Sequence, residues 1–543
     1  MRALRLHCAG IECFLRAPIS FCPSVKIPSL KTLVVAGLGW SAAWLAWPAA
    51  SVSAAIERLE VTYDYVGGLA AERAAAPYKE PDRELPKRLA ELNYDEIRDI
   101  RFRPAQALWR NEGLPFQLHL FHRTAAVREA VQIREFSPTH VQTIPFIRDF
   151  FDYGKLGNLG SLRSSLGYSG FRLHYPMNRP DTFDEVVVFH GASYFRALGA
   201  GQIYGLSARG LAVDSGVPGV TEEFPVFTDF WIGKPRPGAT AITVYALLDS
   251  KRIAGAYEFI IKPGQPTVVD VRARLFARDA IGLPGMAPLT SMFWFGKNSD
   301  RPGGDVRPQV HDSDGLLLHT ADGAHIWRPL QNPRYILNTD LRAVKPTRFG
   351  LIQRERAISA YEDFEARYHE RPSCWIEPVG DWGGGQVRLV ELPTVNEYGD
   401  NVVAYWVPDK KPEAGKPFDL AYRMTWSLAQ PGDDNLARVQ STRIGHLPDF
   451  GWGQLFWIDF AGAGLGQRNP ANLAPQIDLG PGAKLRHQTL IPHPGIDGWR
   501  VALQIEGENP PAPGEKAKPV ELRVRLRDGY EPISETWVYT WLP

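Results

Sequence analysis

The sequence predicts an all-β protein built as two successive β-sandwiches, and three observations carry that prediction. The 543 residues include 50 glycines and 45 prolines, which favours turns and short strands over long helices. Apolar residues recur with period two. Val269, Val271, Ala273 and Leu275 alternate with Asp270, Arg272 and Arg274, and Val520, Leu522, Val524 and Leu526 alternate with Glu521, Arg523, Arg525 and Arg527. Helical patterning is confined to a polar stretch around 81–92 and a short one around 359–368.

From the N-terminus, Lys26 and Lys31 precede an apolar run, Leu33 to Ala50, that ends in Val52-Ser53-Ala54. A basic flank, an apolar stretch and a small-x-small exit describe a secretory signal peptide over residues 1–54 with an extended N-region, and a mature chain from Ala55. An uncleaved anchor is the competing reading, since the run is near the lower length limit for a span. Cys8, Cys13 and Cys22 leave with the signal peptide; Cys374 remains, unable to form an internal disulfide and expected to be buried. Residues 55–406 hold strand patterns at 185–191, 241–249 and 255–262 and form the larger sandwich. The run 407–417, rich in proline and lysine, reads as a linker. Residues 418–543 carry about seven strand candidates, the spacing of an immunoglobulin-like sandwich.

Sixty-one basic and 60 acidic residues give a net charge of +1, so no nucleic-acid partner is expected. Gly383-Gly384-Gly385 follows Trp382 and does not open a phosphate-binding turn, and the 13 histidines lack metal spacing; neither a cofactor nor a metal is predicted. The chemistry concentrates in two acidic segments. One, Glu365 to Trp406, mixes carboxylates and aromatic rings with glycines, as carbohydrate sites do: paired carboxyls work on glycosidic bonds, and flat rings stack on sugar faces. The other, Arg307 to Leu316, carries Asp312 and Asp314 and reads either as a calcium-loop fragment or as an Asx-type turn. Paired with Asp381 or Asp400, it supplies the two carboxyls of an inverting glycosidase, which stand about 6.5 to 9.5 Å apart.

The runs YDEIRDIRF (94–102), GYSGFRLHYP (167–176), FHGASYFRALGAGQIYGLSARGLA (189–212), EEFPVFTDFWI (222–232), APLTSMFWFG (287–296), HDSDGL, WRPLQNP, RPSCWIEPVGDWGGGQVRLVELPT and DNVVAYW resemble the periplasmic glucan biosynthesis protein G/D family, closer to its G branch. The resemblance extends from Tyr94 to Trp537. It implies a periplasmic protein of osmoregulated glucan biosynthesis, with β-1,2-glucan as ligand. It also implies a galactose-mutarotase-like β-sandwich followed by an immunoglobulin-like one. Members of the D branch act as inverting β-1,2-glucanases, with weaker activity in G-type relatives. Carried onto this chain, the acid falls on Asp400 and the base on Asp312. Tyr368, Arg371, Tyr194 and Arg196 would line the sugar cleft, with Asp314 auxiliary and Asp381 a turn or subsite residue. Asp400, partly buried at a sandwich rim, would hold its proton, while polar neighbours and Arg307 would keep Asp312 charged. Trp382, Trp406, Trp452 and Trp457 are candidate stacking platforms, each also a candidate core residue. The competing reading is a noncatalytic glucan-binding protein that assists a membrane glucan synthase.

Overall fold

A computed structural model describes residues 60–157, 159–431, 435–447, 453–508 and 516–543. The expected signal peptide and Trp452 lie outside the described residues. The protein is an all-β sandwich fold. Among the described residues, a ten-stranded sheet runs from Gln117–His122 through Tyr168–Arg179, Thr182–His190 and Tyr194–Ala197 to Val402–Pro408, Gly385–Glu391 and Leu337–Ala343. A fifteen-stranded sheet faces it, with Val226–Gly233, Ile242–Asp249, Ile253–Lys262, Thr267–Ala277 and Pro417–Ser427 as consecutive antiparallel neighbours.

Aromatic rings meet where these sheets face each other. Phe171, Phe189 and Phe195 of one sheet pack against Phe227, Phe230 and Phe259 of the other, with Phe189 and Phe259 ring centres 5.1 Å apart and Phe171 and Phe230 5.0 Å apart. Each edge-to-face pair adds roughly 0.5–1.5 kcal/mol beyond area burial. Phe189→Leu, which loses several such pairs and leaves a gap, is expected to lower stability by about 2 kcal/mol, read as a shifted urea midpoint at unchanged slope.

The period-two strand readings at 185–191, 241–249, 255–262, 269–275 and 520–526 coincide with strands. The helices differ. Tyr63–Ala75 is a 13-residue helix, capped by Thr62 and lying on the outer face of the large sheet, where Val66 and Ala70 pack against Trp231, Leu247 and Ala256. Gly67 and Gly68 at its centre weaken the helical signal. The helix expected over 81–92 shrinks to Lys87–Ala90, because Pro86 cannot donate within a helix; a second helix, Tyr94–Asp99, follows with a capping box from Asn93 and Glu96. The helix expected over 359–368 resolves into the 3-10 turns Ile358–Ala360 and Tyr368–Glu370. Glu362 and Arg367 take left-handed φ, and the Asp363 carboxylate binds the Glu365 and Ala366 amides, breaking the ladder.

The expected boundary is also displaced. Pro417–Ser427, assigned above to the second unit from Phe418 on, runs in register with Thr267–Ala277, from Thr267 opposite Trp426 to Phe276 opposite Pro417, and its Tyr422, Met424 and Trp426 lie in the large core. The proline- and lysine-rich run before it therefore crosses from one sheet of the first sandwich to the other. Exposed crossovers and linkers share a composition because both are solvated backbone. The second sandwich comprises a four-stranded sheet, Arg438–His446, Gly453–Ala461, Gly498–Gly507 and Ala483–His493, over Leu473–Leu479, Val520–Asp528 and Thr536–Trp541. The last of these pairs in parallel with His325–Pro329, which joins the two units through one continuous sheet.

Candidate active site

Asp400 stands two residues before the strand Val402–Pro408, at the end of the loop 392–401. Three groups of bonds fix that loop. The Leu392 amide donates to the Asn401 carbonyl at 2.8 Å, closing its base. The buried Asn401 amide side chain accepts from the Phe293 N–H at 2.8 Å and donates to the Phe293 and Leu392 carbonyls at 3.0 and 2.9 Å. At its middle, Glu397 accepts from the Tyr368 hydroxyl at 2.8 Å and from the Arg307 guanidinium. Asp400 is thus set on a braced loop with its side chain 23% exposed. Ser207 Oγ donates to its Oδ2 at 3.4 Å, and Arg196 Nη2 lies 3.8 Å from the same oxygen.

Asp312 follows the short strand Val310–His311, its amide held by the Met292 carbonyl at 2.8 Å. Its carboxylate is buried, 4% exposed, and bonded to the Arg371 guanidinium. Burial pushes its carboxyl above the ordinary carboxylate range, Arg371 pulls it back, the Asp400 charge pushes it further up, and Arg196 opposes that. Two carboxylates and two guanidiniums therefore share one electrostatic neighbourhood, with Asp400 at the surface and Asp312 beneath. The expected neighbour Arg307 is not part of it; its guanidinium is taken by Asp305, Asp363 and Glu397, and Arg371 stands in its place. Arg371 lies over the Tyr368 ring at 4.3 Å. Tyr368 itself is 1% exposed, so it supports Arg371 and Glu397 from below and offers no open face to a sugar.

Gly205, in the run GQIYG, packs directly against the Arg371 side chain. A Cβ there would stand 2.8 Å from Arg371 Cβ, inside van der Waals contact. Gly205→Ala is expected to displace Arg371 and lower stability by about 1–3 kcal/mol, read as a shifted urea midpoint at unchanged slope.

A groove of about 560 Å³ opens at Asp400. Tyr398, 63% exposed, and Phe224, 36% exposed, face it together with Tyr78 and Tyr194. Tyr194 is backed by the Arg209 guanidinium at 4.7 Å, which is itself paired with Glu222 at 2.7 Å. Exposed rings beside a partly buried carboxylate can hold the apolar faces of sugars next to an acid.

Residues 62–541 match the family described as periplasmic glucan biosynthesis protein, MdoG. The chain belongs to that family. It is similar to proteins described as glucans biosynthesis protein G. The one from Ralstonia nicotianae is 44% identical over 491 residues, covering 88% of this chain and 95% of the relative. The one from Rhodopseudomonas palustris (strain BisA53) is 43% identical over 473 residues, covering 87% and 92%. The one from Pseudomonas aeruginosa (strain LESB58) is 40% identical over 522 residues, covering 94% and 96%. Membership places the chain in periplasmic glucan biosynthesis.

Of the residues that the sequence nominated in this family member, Asp400, Asp312, Arg371 and Arg196 converge, and Tyr194 lies along the same groove. Others stand elsewhere. Asp381 and Trp382 sit by Gly384 and Gly385, which pair with the Pro408 end of the strand Val402–Pro408; the strand that separates that end from the Asp400 loop is about 20 Å long at ~3.3 Å per residue. Asp381 accepts the Gly383 N–H at 3.1 Å, which makes it a turn residue. Among the described residues Asp314 belongs to no cluster that could hold a metal ion, and its partners lie about 40 residues along the chain, not in a local Asx turn. Its carboxylate accepts the backbone N–H groups of Arg354 and Glu355, clamping a neighbouring strand end. Trp406 is 1% exposed in the core, and Trp457 lies on the second sandwich beside Arg500 at 4.5 Å. Sequence reasoning missed Glu397, the brace of the loop, and Tyr398, its exposed ring. The signal was present in NEYGDN, where both sit within three residues of Asp400.

Proposed function

We propose that this protein is exported through its cleavable leader, binds the β-1,2-linked glucan backbone in the groove that opens at Asp400, and cleaves or remodels it with inversion. Asp400 protonates the leaving oxygen; Asp312 is the base that draws a proton from the attacking water. The observation that carries the reading is the pairing of a partly exposed carboxylate at the mouth of an aromatic groove with a buried carboxylate whose pKa is raised, both within reach of Arg196. A raised carboxyl pKa strengthens a base, and Arg371 keeps its charged form accessible. The base lies beneath the surface, so water must reach it past Arg371.

That same burial favours a second reading, in which the groove holds nascent chains for a membrane glucan synthase and leaves them intact. Incubating purified protein with β-1,2-glucan and following chain length and anomeric configuration by NMR separates the two. Shortened or redistributed chains with inverted new ends support the enzyme; bound chains of unchanged length support the holder and sink the catalytic assignment.

A further inference from the structure

A second cavity, of about 400 Å³, lies at the other end of the strand that Asp400 introduces. Met286 and Trp406 bound it from one sheet, and Phe418 and Leu420 from the other. Its aromatic wall is Trp382, oriented by an indole N–H bond to the Ala421 carbonyl at 2.9 Å and packed 6.4 Å from Trp406. Gly385 makes this packing possible, since a Cβ there would meet the Trp406 ring at 2.5 Å. Trp406 is 1% exposed, and its indole N–H finds no acceptor among the described residues. An orphaned buried donor of this kind costs roughly 1–3 kcal/mol, a cost that the close packing of the two indoles sustains.

The rim carries three carboxylates, Asp381, Glu413 and Asp419, and three ammonium groups, Lys410, Lys411 and Lys416. The signs cancel, so the rim selects for neither anion nor cation, while it offers both donors and acceptors beside an aromatic wall. Several are pre-positioned: Asp419 by Arg274 at 2.7 Å, Lys416 by Glu413 at 2.6 Å, and Lys411 by the Gly282 carbonyl at 2.5 Å. Ring faces for C–H surfaces and mixed-sign polar groups for hydroxyls suit an uncharged polyhydroxylated ligand.

We infer that this cavity is a second, noncatalytic sugar site that takes a short stretch of neutral glucan, separated from the Asp400 loop by a strand about 20 Å long. The ligand class rests on the glucan reading above; the cavity does not. A polymer held there would be kept at the protein while its other segments pass the groove, raising local concentration without new chemistry.

Hydrogen–deuterium exchange of the intact mature protein, with and without a β-1,2-linked glucooligosaccharide, tests this. Two protected regions are expected, 392–401 for the groove and 380–386 with 409–420 for the second site. Asp381→Ala/Lys410→Ala, at exposed positions, should weaken the second protection about tenfold, with 392–401 as internal reference. Protection of 392–401 alone overturns the second site and leaves the glucan reading standing. Protection of 380–386 and 409–420 alone upholds the second site and overturns the groove. Protection of neither overturns both, and an unchanged titration in the double variant removes the rim from recognition and the proposal with it.

Discussion

If the proposed inverting mechanism holds, replacing Asp400 by Asn is expected to lower the rate of β-1,2-glucan cleavage about 10³-fold while leaving the fold intact. A positioned general acid contributes roughly 10²–10⁴ in rate, and the amide keeps the shape of the carboxyl while removing the transferable proton. The local structure tolerates the change. Ser207 Oγ can still donate to the amide oxygen, and Arg196 stands 3.8 Å away, a loose contact whose loss costs little. The loop is held by Asn401 and Glu397, not by Asp400. The thermal midpoint and glucan binding should therefore stay close to wild type as turnover falls. Undiminished hydrolysis by the variant would remove Asp400 from the acid role; a matched loss of binding and turnover would mean that the carboxylate holds the sugar and does not protonate it.

Strands were legible in the sequence wherever one face is wet. Val520 to Leu526 alternates because Arg523 and Arg525 face outward while Val520, Leu522 and Val524 fill the second core. The helix Tyr63–Ala75 was not legible, because its apolar positions are few and its partners, Trp231, Leu247 and Ala256, lie far along the chain. The 407–417 crossover was read as a linker because composition reports solvation, whereas the decisive fact, the register of Pro417–Ser427 with Thr267–Ala277, is a pairing that no local window contains. The site divides the same way. Asp400 and Asp312 were nominated through whole motifs, and the fold brings them into one electrostatic neighbourhood. Trp382 and Asp381 shared a segment with Asp400, but an intervening antiparallel turn carried them to the far end of the same strand pair. Proximity in sequence misled there because 20 residues of hairpin can separate two side chains as widely as they can join them.

Arg371→Met is expected to be the most destabilising single change at the site, by about 3–5 kcal/mol near neutral pH, because it strands the Asp312 carboxylate in a buried position without its partner. The thioether chain replaces most of the packing over Tyr368, so the loss is chiefly electrostatic. The pH dependence gives the signature. Asp312 already has a folded-state pKa raised by burial, and removing Arg371 takes away the largest force opposing that rise. A carboxyl raised in the folded state binds its proton more tightly there than in the unfolded chain. Its contribution is therefore fully present below the unfolded carboxyl pKa of about 4 and is lost as pH climbs through the folded value. The variant should accordingly approach wild-type stability in acid and fall away from it as pH rises, the opposite of ordinary acid denaturation. Adding Asp312→Asn should restore most of the lost stability at neutral pH, since the double variant has no buried charge left unpaired. Urea midpoints for the four proteins of this cycle, collected from acid to neutral pH, decide the matter. Equal destabilisation of Arg371→Met at every pH, or no recovery in the double variant, would show that Arg371 serves packing alone and that Asp312 does not depend on it for its charge.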